Sequence, residues 1–490
     1  MRWLFSLAVL ALASAVSALS AVGNRLLVVL EEESERDKYS NFWADLEARG
    51  YDLTFKSPKS TDLSLFQHGV RTTDHLLILP PKSKGLGPAL TAHNLLDFLS
   101  ADGNILLTLS GSPPSTSATP VSTPSAIAAL LLELDLHLPP DRSSLVVDHF
   151  SHDVLSSPST HDTLVVPGPA PLRPAAGDVA HFFDLGPDST VAVPRAVGHT
   201  LGATSPLIAP VLLAPRMAYA YNPADEADAA GVEEPFATGR QLALASAFQA
   251  RNSARLVVLG SAEMLADQWT KDGAEVQVPW GKKTPVANRV FARKVSEWVF
   301  KEVGVLKVGR LAHWLNEGEK ADVGNVSETG VVPVGGEDVN PKIYRIKNDV
   351  TYAIELSEYS RTHWKPFYPP GNDRLQLEFS MLSPFHRLDL VPASTTPNST
   401  LFTTSFTLPD QHGIFNFRVN YKRPFLTNVD EKRQVTVRHF AHDEWPRSFA
   451  ISGAWVWIGG IWVTVAGWVG FVALWLYSKP AETKEGKKTK

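Results

Sequence analysis

A chain of 490 residues with 46 Lys and Arg against 51 Asp and Glu has a formal charge of -5, with both signs mixed along it. Such a balance leaves no electrostatic footprint for nucleic acid. It has no cysteine, which excludes disulfides, a thiol nucleophile and thiolate metal sites, and its length is enough for about three domains with their own cores.

In chain order, Arg2 precedes an apolar run from Trp3 to Leu12, and Val16-Ser17-Ala18 fits a small-x-small cleavage site. Residues 1–18 therefore read as a secretory signal peptide. RLLVVLEE, from Arg25 to Glu32, has the β-branched apolar run of a buried parallel strand. YSNFWADLEARG predicts an amphipathic helix ending at Gly50, with Phe42, Trp43 and Leu46 on its apolar side. YDLTFK, HLLILPP, the helix LTAHNLLDFLSADG and the strand NILLTLS continue the alternation. Residues 19–138 thus predict an open α/β sheet covered on both faces. The Pro/Ser/Thr-rich stretch 111–125 reads as an exposed loop.

Residues 139–305 read as a second, mixed module, with short apolar runs such as SLVV, TLVVPG and LIAPVLLAP among many prolines. Its clearest part is ARLVVLG, a buried strand whose Gly260-Ser261 turn predicts a short helix capped by Ser261. VANRVFARKVSEWVFKEVGV predicts a helix with Val290, Phe291, Val295 and Val299 on one face. From 306 to 447 the period becomes two: Val350, Tyr352, Ile354 and Leu356 alternate, as do Leu375, Leu377 and Phe379, Phe402 to Leu408, and Phe415 to Tyr421. Alternating runs separated by Pro, Gly, Asn and Asp predict a β-sandwich.

No charged side chain lies between Arg447 and Lys479. As a helix, about 31 residues at 1.5 Å each outrun a hydrocarbon core of roughly 30 Å, so 448–478 predicts one transmembrane helix and 479–490 a cytoplasmic tail. Gly453, Gly460 and Gly467 recur every seven residues with Thr464 on the same side, a groove into which a partner helix fits. Lys487 and Lys488 in the final KKTK match a dilysine signal read by coat proteins, which predicts a single-pass type I protein of the endoplasmic reticulum membrane with a lumenal ectodomain. Asn325-Val326-Ser327 and Asn398-Ser399-Thr400 are candidate N-glycosylation sites in loops between predicted strands.

Taken in order, LLVVLEE, GYDLTFK, DHLLILPP, DFLSADGNILL, GRQLALASAFQARNSARLVVLGSAEML, RLQLEFSMLSPFHRLDL, TLPDQHGIFNFRVNYKR and QVTVRHFAHDEWPRSF, one span and a dilysine tail, resemble the beta-type subunit family of the eukaryotic oligosaccharyltransferase complex. The resemblance covers essentially the whole mature chain. It implies a non-catalytic subunit of the complex that transfers an oligosaccharide from a dolichyl diphosphate carrier to Asn of nascent chains. It also implies a separate polytopic catalytic subunit as partner, with a ribophorin II-type subunit and a small defender-against-death-type subunit alongside. It calls for no cofactor.

The βα pattern is also similar to class I glutamine amidotransferase-like (flavodoxin-like) domains, so an independent lumenal hydrolase is the enzymatic alternative. Its nucleophile would be Ser110 or Ser112, but LSGSPP lacks G-x-S-x-G. His149, His152, Asp153, His161 and Asp162 could gather around a divalent ion, and His439 with His442 repeats an i, i+3 spacing; on a strand those two would point to opposite faces. Asp225-Glu226-Ala227-Asp228 spells a helicase-like motif without the phosphate-binding loop that chemistry needs. A receptor cycling on the KKTK tail is a third class. The expectation is a structural and assembly subunit without catalytic, cofactor or metal residues of its own.

Overall fold

The computed structural model describes residues 20–83, 85–111, 123–141, 144–169, 182–186, 189–203, 205–221, 235–316, 339–371, 373–445 and 453–479. The signal peptide, Ser112, the Asp225–Asp228 motif, Asn325, Lys487 and Lys488 lie outside them.

Seven strands form one sheet: β1 (Arg25–Val29), β2 (Asp52–Lys56), β3 (His75–Ile78), β4 (Asn104–Thr108), β5 (Ile208–Leu213), β6 (Ala243–Gln249) and β7 (Arg255–Leu259), in the order β5-β6-β7-β4-β3-β1-β2. From β2 to β7 neighbours run parallel, while β6 and β5 are antiparallel additions at the edge. The apolar runs are continuous because both faces are covered. Leu26, Val28, Leu77, Leu106 and Val257 face one core with helices α1 (Ser40–Ala48) and, later in the chain, Asn288–Val299. Leu27, Val29, Ile78, Ile105 and Leu256 face the other, with α2 (Ala92–Ser100) and α3 (Ser125–Glu133). Local signals set the helix ends: Thr91 accepts a hydrogen bond from the Asn94 amide at the start of α2, and Gly50 takes φ 85° just past α1.

The division expected at 138/139 does not separate two sheets. β5, β6 and β7 return after that point to complete the sheet begun at Arg25, and the other strands described in the intervening segment form two-stranded ribbons. Val146, Leu164, Val166, Val191 and Val193 of those ribbons pack into the first core rather than building one of comparable size. Ser261 caps no helix: its hydroxyl donates to the Pro194 carbonyl, and a 3-10 turn, Glu263–Leu265, follows. The helix Asn288–Val299, α4, buries Phe291, Val295, Trp298 and Val299, whereas Val290 is 47% exposed. Trp298, three residues beyond Val295, is the better-placed member of the buried stripe.

The second part is sheet-rich. Its strands are β8 (Val303–Leu315), β9 (Ile343–Arg345), β10 (Asp349–Ser360), β11 (His363–Pro366), β12 (Gln376–Ser380), β13 (Pro384–Asp389), β14 (Val391–Thr395), β15 (Thr400–Thr407), β16 (Gly413–Tyr421) and β17 (Val429–Arg438). One sheet runs β8-β10-β15-β14, with β11 paired to β10; the other runs β9-β17-β16-β12-β13. The alternating residues meet between them: Tyr352 stacks on Phe417 at 5.4 Å, and Phe379 meets Phe406 at 5.5 Å. The same hydrophobic cluster runs without a break from Leu26 to Val437. The α/β part and the sandwich therefore share one core.

Helix α5, Ala454–Tyr477, is 24 residues long with mean hydropathy 1.7 and no buried residue. At 1.5 Å per residue it spans about 36 Å, enough to cross a bilayer. It is shorter than the expected 448–478, and 448–452 lie outside the described residues.

Candidate functional site

In an open α/β sheet chemistry belongs at the carboxyl ends of the parallel strands. Here Leu109-Ser110-Gly111 follow β4, and the Ser110 hydroxyl donates to the adjacent Gly111 carbonyl at 3.4 Å. The buried histidines of this part are engaged elsewhere. His75 contacts Ser20, Gly23 and Asn104, and His199 contacts Ser246 at 2.7 Å. Burial holds both imidazoles near pKa 4, which keeps them neutral. Arg195 and Glu263 pair across the same edge. Among the described residues Ser110 is bonded to no base, and the His199–Ser246 contact lies fully buried, out of reach of a substrate.

The first histidine group does come together. His149 Nδ1 lies 2.6 Å from His161 Nδ1, His149 Nε2 lies 3.0 Å from the Tyr219 hydroxyl, and the His152 and His161 rings are 4.0 Å apart. The neighbouring carboxylates serve the backbone. Asp148 accepts from the amides of Phe150 and Ser151, and Asp153 from those of Leu155, Ser156 and Gln277. Asp162 accepts from Thr160. Among the described residues no group of three or more such side chains is arranged to hold a metal ion. His439 and His442 do not sit on a strand, because β17 ends at Arg438; His439 instead stacks on His412 at 4.1 Å.

The polar groups that organise the molecule lie where the α/β part meets the sandwich, and composition alone did not reveal them. Arg255, the first residue of β7, is fully buried without a carboxylate. Its guanidinium donates to the carbonyls of Trp298, Val303 and Gly304 at 2.6–2.8 Å and lies 4.8 Å from the Trp298 ring centre. Desolvation lowers its pKa to about 9. Trp298 donates its indole N–H to the Phe425 carbonyl, and Gln249 donates to that of Leu426. Arg361 of the β10–β11 turn makes a two-point pair with Glu297 of α4. The only advance sign was a cation opening an otherwise apolar strand in ARLVVLG.

The helix-packing candidates of the sequence lie on or beside α5. Among the described residues nothing beyond the helix's own backbone lies within 4 Å of a Cβ added at Gly453, Gly460 or Gly467, which leaves that face open. Gly453 stands just before the helix, and the Thr464 hydroxyl donates to the Gly460 carbonyl at 2.8 Å, which removes its polarity from the groove. Asn398 is exposed in the β14–β15 turn, while Ser399 and Thr400 after it are buried.

Comparison with known proteins adds to this geometry. The family model for the OST48 N-terminal domain matches residues 17–302, and that for the OST48 middle domain matches 333–479. The chain is 30% identical over 458 residues to the dolichyl-diphosphooligosaccharide–protein glycosyltransferase 48 kDa subunit of Arabidopsis thaliana, covering 93% of each chain. It is 29% identical to the subunit of the same name from Danio rerio, over 98% of each. To the Schizosaccharomyces pombe glycosyltransferase subunit wbp1 it is 30% identical, over 91% of this chain and 90% of that one.

Proposed function

The chain belongs to the OST48 family, and from that membership we propose that it is a non-catalytic subunit of an oligosaccharyltransferase complex, acting in protein N-glycosylation by holding other subunits in place. The observation that carries the reading is the family match across both the α/β part and the sandwich together with the apolar helix α5. The hydrolase alternative has no support at Ser110, whose hydroxyl faces its own backbone.

The mechanism is positional. Two modules that share one core form a stiff body, fixed at their junction by Arg255 and by the Arg361–Glu297 pair. The strand order of the parallel part, with the chain's second strand at the edge and the first beside it, supports an amidotransferase-like (flavodoxin-like) origin in which the catalytic edge is no longer used. This body, the α/β part with the sandwich that opens at β8 (Val303–Leu315), faces the lumen of the endoplasmic reticulum. Residues 1–18 are removed as a signal. The new amino end is then held in place, since the Ser20 hydroxyl donates to the Phe300 carbonyl and the Ala21 amide to that of Lys301. α5 crosses the bilayer and offers Gly453, Gly460, Thr464 and Gly467 to a partner helix, and Lys487 and Lys488 return the assembly to the endoplasmic reticulum. Its partners are the polytopic catalytic subunit, a ribophorin II-type subunit and a small defender-against-death-type subunit.

The test is to capture the full chain from membranes in mild detergent with an antibody to its lumenal part and identify what is present in stoichiometric amount. A polytopic glycosyltransferase subunit, with Asn-glycosylation activity in the eluate, is the expected result. A folded chain recovered alone would overturn the assignment.

A further inference from the structure

The two ends of the sandwich differ. At one end, the Leu426 carbonyl accepts from Gln249, the Asn428 amide donates to the Ser253 hydroxyl and Arg361 pairs with Glu297, so the α/β part covers it. The other end is where β17 delivers the chain towards α5. Strand register identifies what else is there. Gly413 of β16 pairs with Val437 near the end of β17, and Ser380 of β12 pairs with Asn416, so the β12–β13 turn, Met381–Ser383, projects at this same end. Leu382 at that turn is 98% exposed, and Ile414 beside it is 54% exposed. Phe385 packs its edge on Phe415 at 5.3 Å and remains partly exposed. Past β17, Trp445 is also 54% exposed, with its ring 5.1 Å from Phe440.

Exposed apolar residues scattered singly need no explanation, but these collect at one end of one domain. Charge does not compensate for them. Arg438 is held by Glu444 through two bonds of 2.8 Å, and that arginine with the Ala441 amide lowers the Glu444 carboxyl to about 2. Lys347 pairs with Asp410, and Arg387 with Glu378. The surface therefore offers apolar side chains and paired charges rather than an excess of cations, which suits a zwitterionic lipid surface better than an anionic one. Chain length keeps that surface close. Only seven residues, 446–452, separate Trp445 from Gly453, and fully extended they span at most about 25 Å. A tether this short makes even a few weak apolar contacts with the bilayer effectively intramolecular.

We propose that the Met381–Ser383 turn, with Ile414 and Trp445, rests in the headgroup layer of the membrane that α5 crosses. The sandwich then has a second contact with the bilayer, which fixes its tilt as the helix alone would not. The inference rests on reading α5 as a membrane span. A protruding leucine on a convex hairpin tip has no shape requirement that lipid fails to meet, whereas a protein partner would need a matching pocket.

The absence of cysteine makes the test direct, because one introduced thiol is the only one in the chain. Leu382→Cys, Thr362→Cys at the covered end and Ser478→Cys at the end of α5 are each carried by the full chain in its complex. Each is labelled with a polarity-sensitive fluorophore and placed in phosphatidylcholine nanodiscs, with the thiol-free chain in the same complex as background. Lipids bearing a spin label just below the headgroup should quench the probe at 382 by about half, leave that at 362 unchanged and quench that at 478. A probe at 382 that escapes lipid quenching and is reached by iodide overturns the proposal. So does one shielded from both, which would mean that protein covers the tip. If the probe at 478 also escapes lipid, the span reading fails and takes the proposal with it. With 478 quenched and 382 not, only the tip contact fails.

Discussion

Arg49 and Glu302 meet at 2.7 Å with side chains 4% and 0% exposed. Arg49 follows α1 and Glu302 immediately precedes β8, so one ion pair ties the first helix of the α/β part to the strand that opens the sandwich. The Tyr51 hydroxyl donates to the same carboxylate at 2.7 Å, and Arg49 reaches Ser296 of α4 at 2.8 Å. Burial raises the Glu302 pKa, and the guanidinium opposes that rise. One desolvated charge pair thus ties α1 to the junction of α4 and β8, 253 residues further along the chain.

Removing half of such a pair is costlier than removing all of it. Arg49→Met should lower stability by about 3–5 kcal/mol, because Glu302 keeps its burial and loses its cation. Arg49→Met combined with Glu302→Leu should recover most of that loss. A double-mutant cycle on the thermal unfolding of the purified full chain in detergent measures the coupling. Losses that simply add would mean that the pair does not act as a unit.

A second prediction concerns acid. His75, His199 and His313 each have a pKa lowered to about 4, in every case chiefly by burial. The unfolded chain binds protons near the ordinary value of 6.5, while the folded chain refuses them until about pH 4. Stability is therefore complete above about pH 6.5 and falls as the pH drops towards 4, by at most about 3 kcal/mol per histidine. Urea unfolding at a series of pH values from neutral to about 4.5 should show the midpoint falling through this window. His199→Gln should make the fall shallower, and an unchanged slope would exclude His199 as a contributor.

The sequence was most legible where side-chain alternation decides burial. Val350, Tyr352, Ile354 and Leu356 are all buried as their period implies, and so are Phe415, Phe417, Val419 and Tyr421. Leu26 to Val29 read correctly as a two-faced strand because helices cover both sides of the sheet. The return of β5, β6 and β7 to that sheet was not legible, since strand pairing across about a hundred residues leaves no periodic trace. The histidines were found by their spacing, but spacing could not show that Asp148 and Asp153 cap backbone amides. Arg255 and Glu302 were missed because a buried charge looks like a surface one until its partners are known.

Asn398 lies in an exposed turn, yet Thr400 of its sequon is fully buried at the start of β15. Ser399 bonds to Thr396 and to Glu355 of β10, which fixes the turn against the sheet. A glycan should therefore be accepted only before β15 pairs with β10. Asn398→Gln should remove one glycosidase-sensitive mobility step if the site is used during synthesis. Full-length chain released unglycosylated and allowed to fold should stay unmodified when acceptor conditions are restored afterwards. Efficient late modification would contradict the role assigned to Thr400 burial.

The glycine face of α5 leads to the last prediction. Among the described residues nothing beyond the helix's own backbone lies within 4 Å of a Cβ added at Gly460 or Gly467, so substitution meets no other part of the fold there. Two leucines there would push a partner helix outwards, losing the close backbone contact on which association in lipid depends. Replacing both by Leu should leave the unfolding midpoint of the α/β and sandwich parts unchanged, because their core does not include α5. Recovery of partner subunits in mild detergent should drop by at least about tenfold, equivalent to roughly 1.4 kcal/mol. Ala at the same positions should have a smaller effect, since a methyl group fills less of the groove. Leu at Trp462, on another side of the helix, should spare assembly. Intact co-purification of the Gly460→Leu, Gly467→Leu chain would mean that partners hold this subunit through the α/β and sandwich parts rather than through α5.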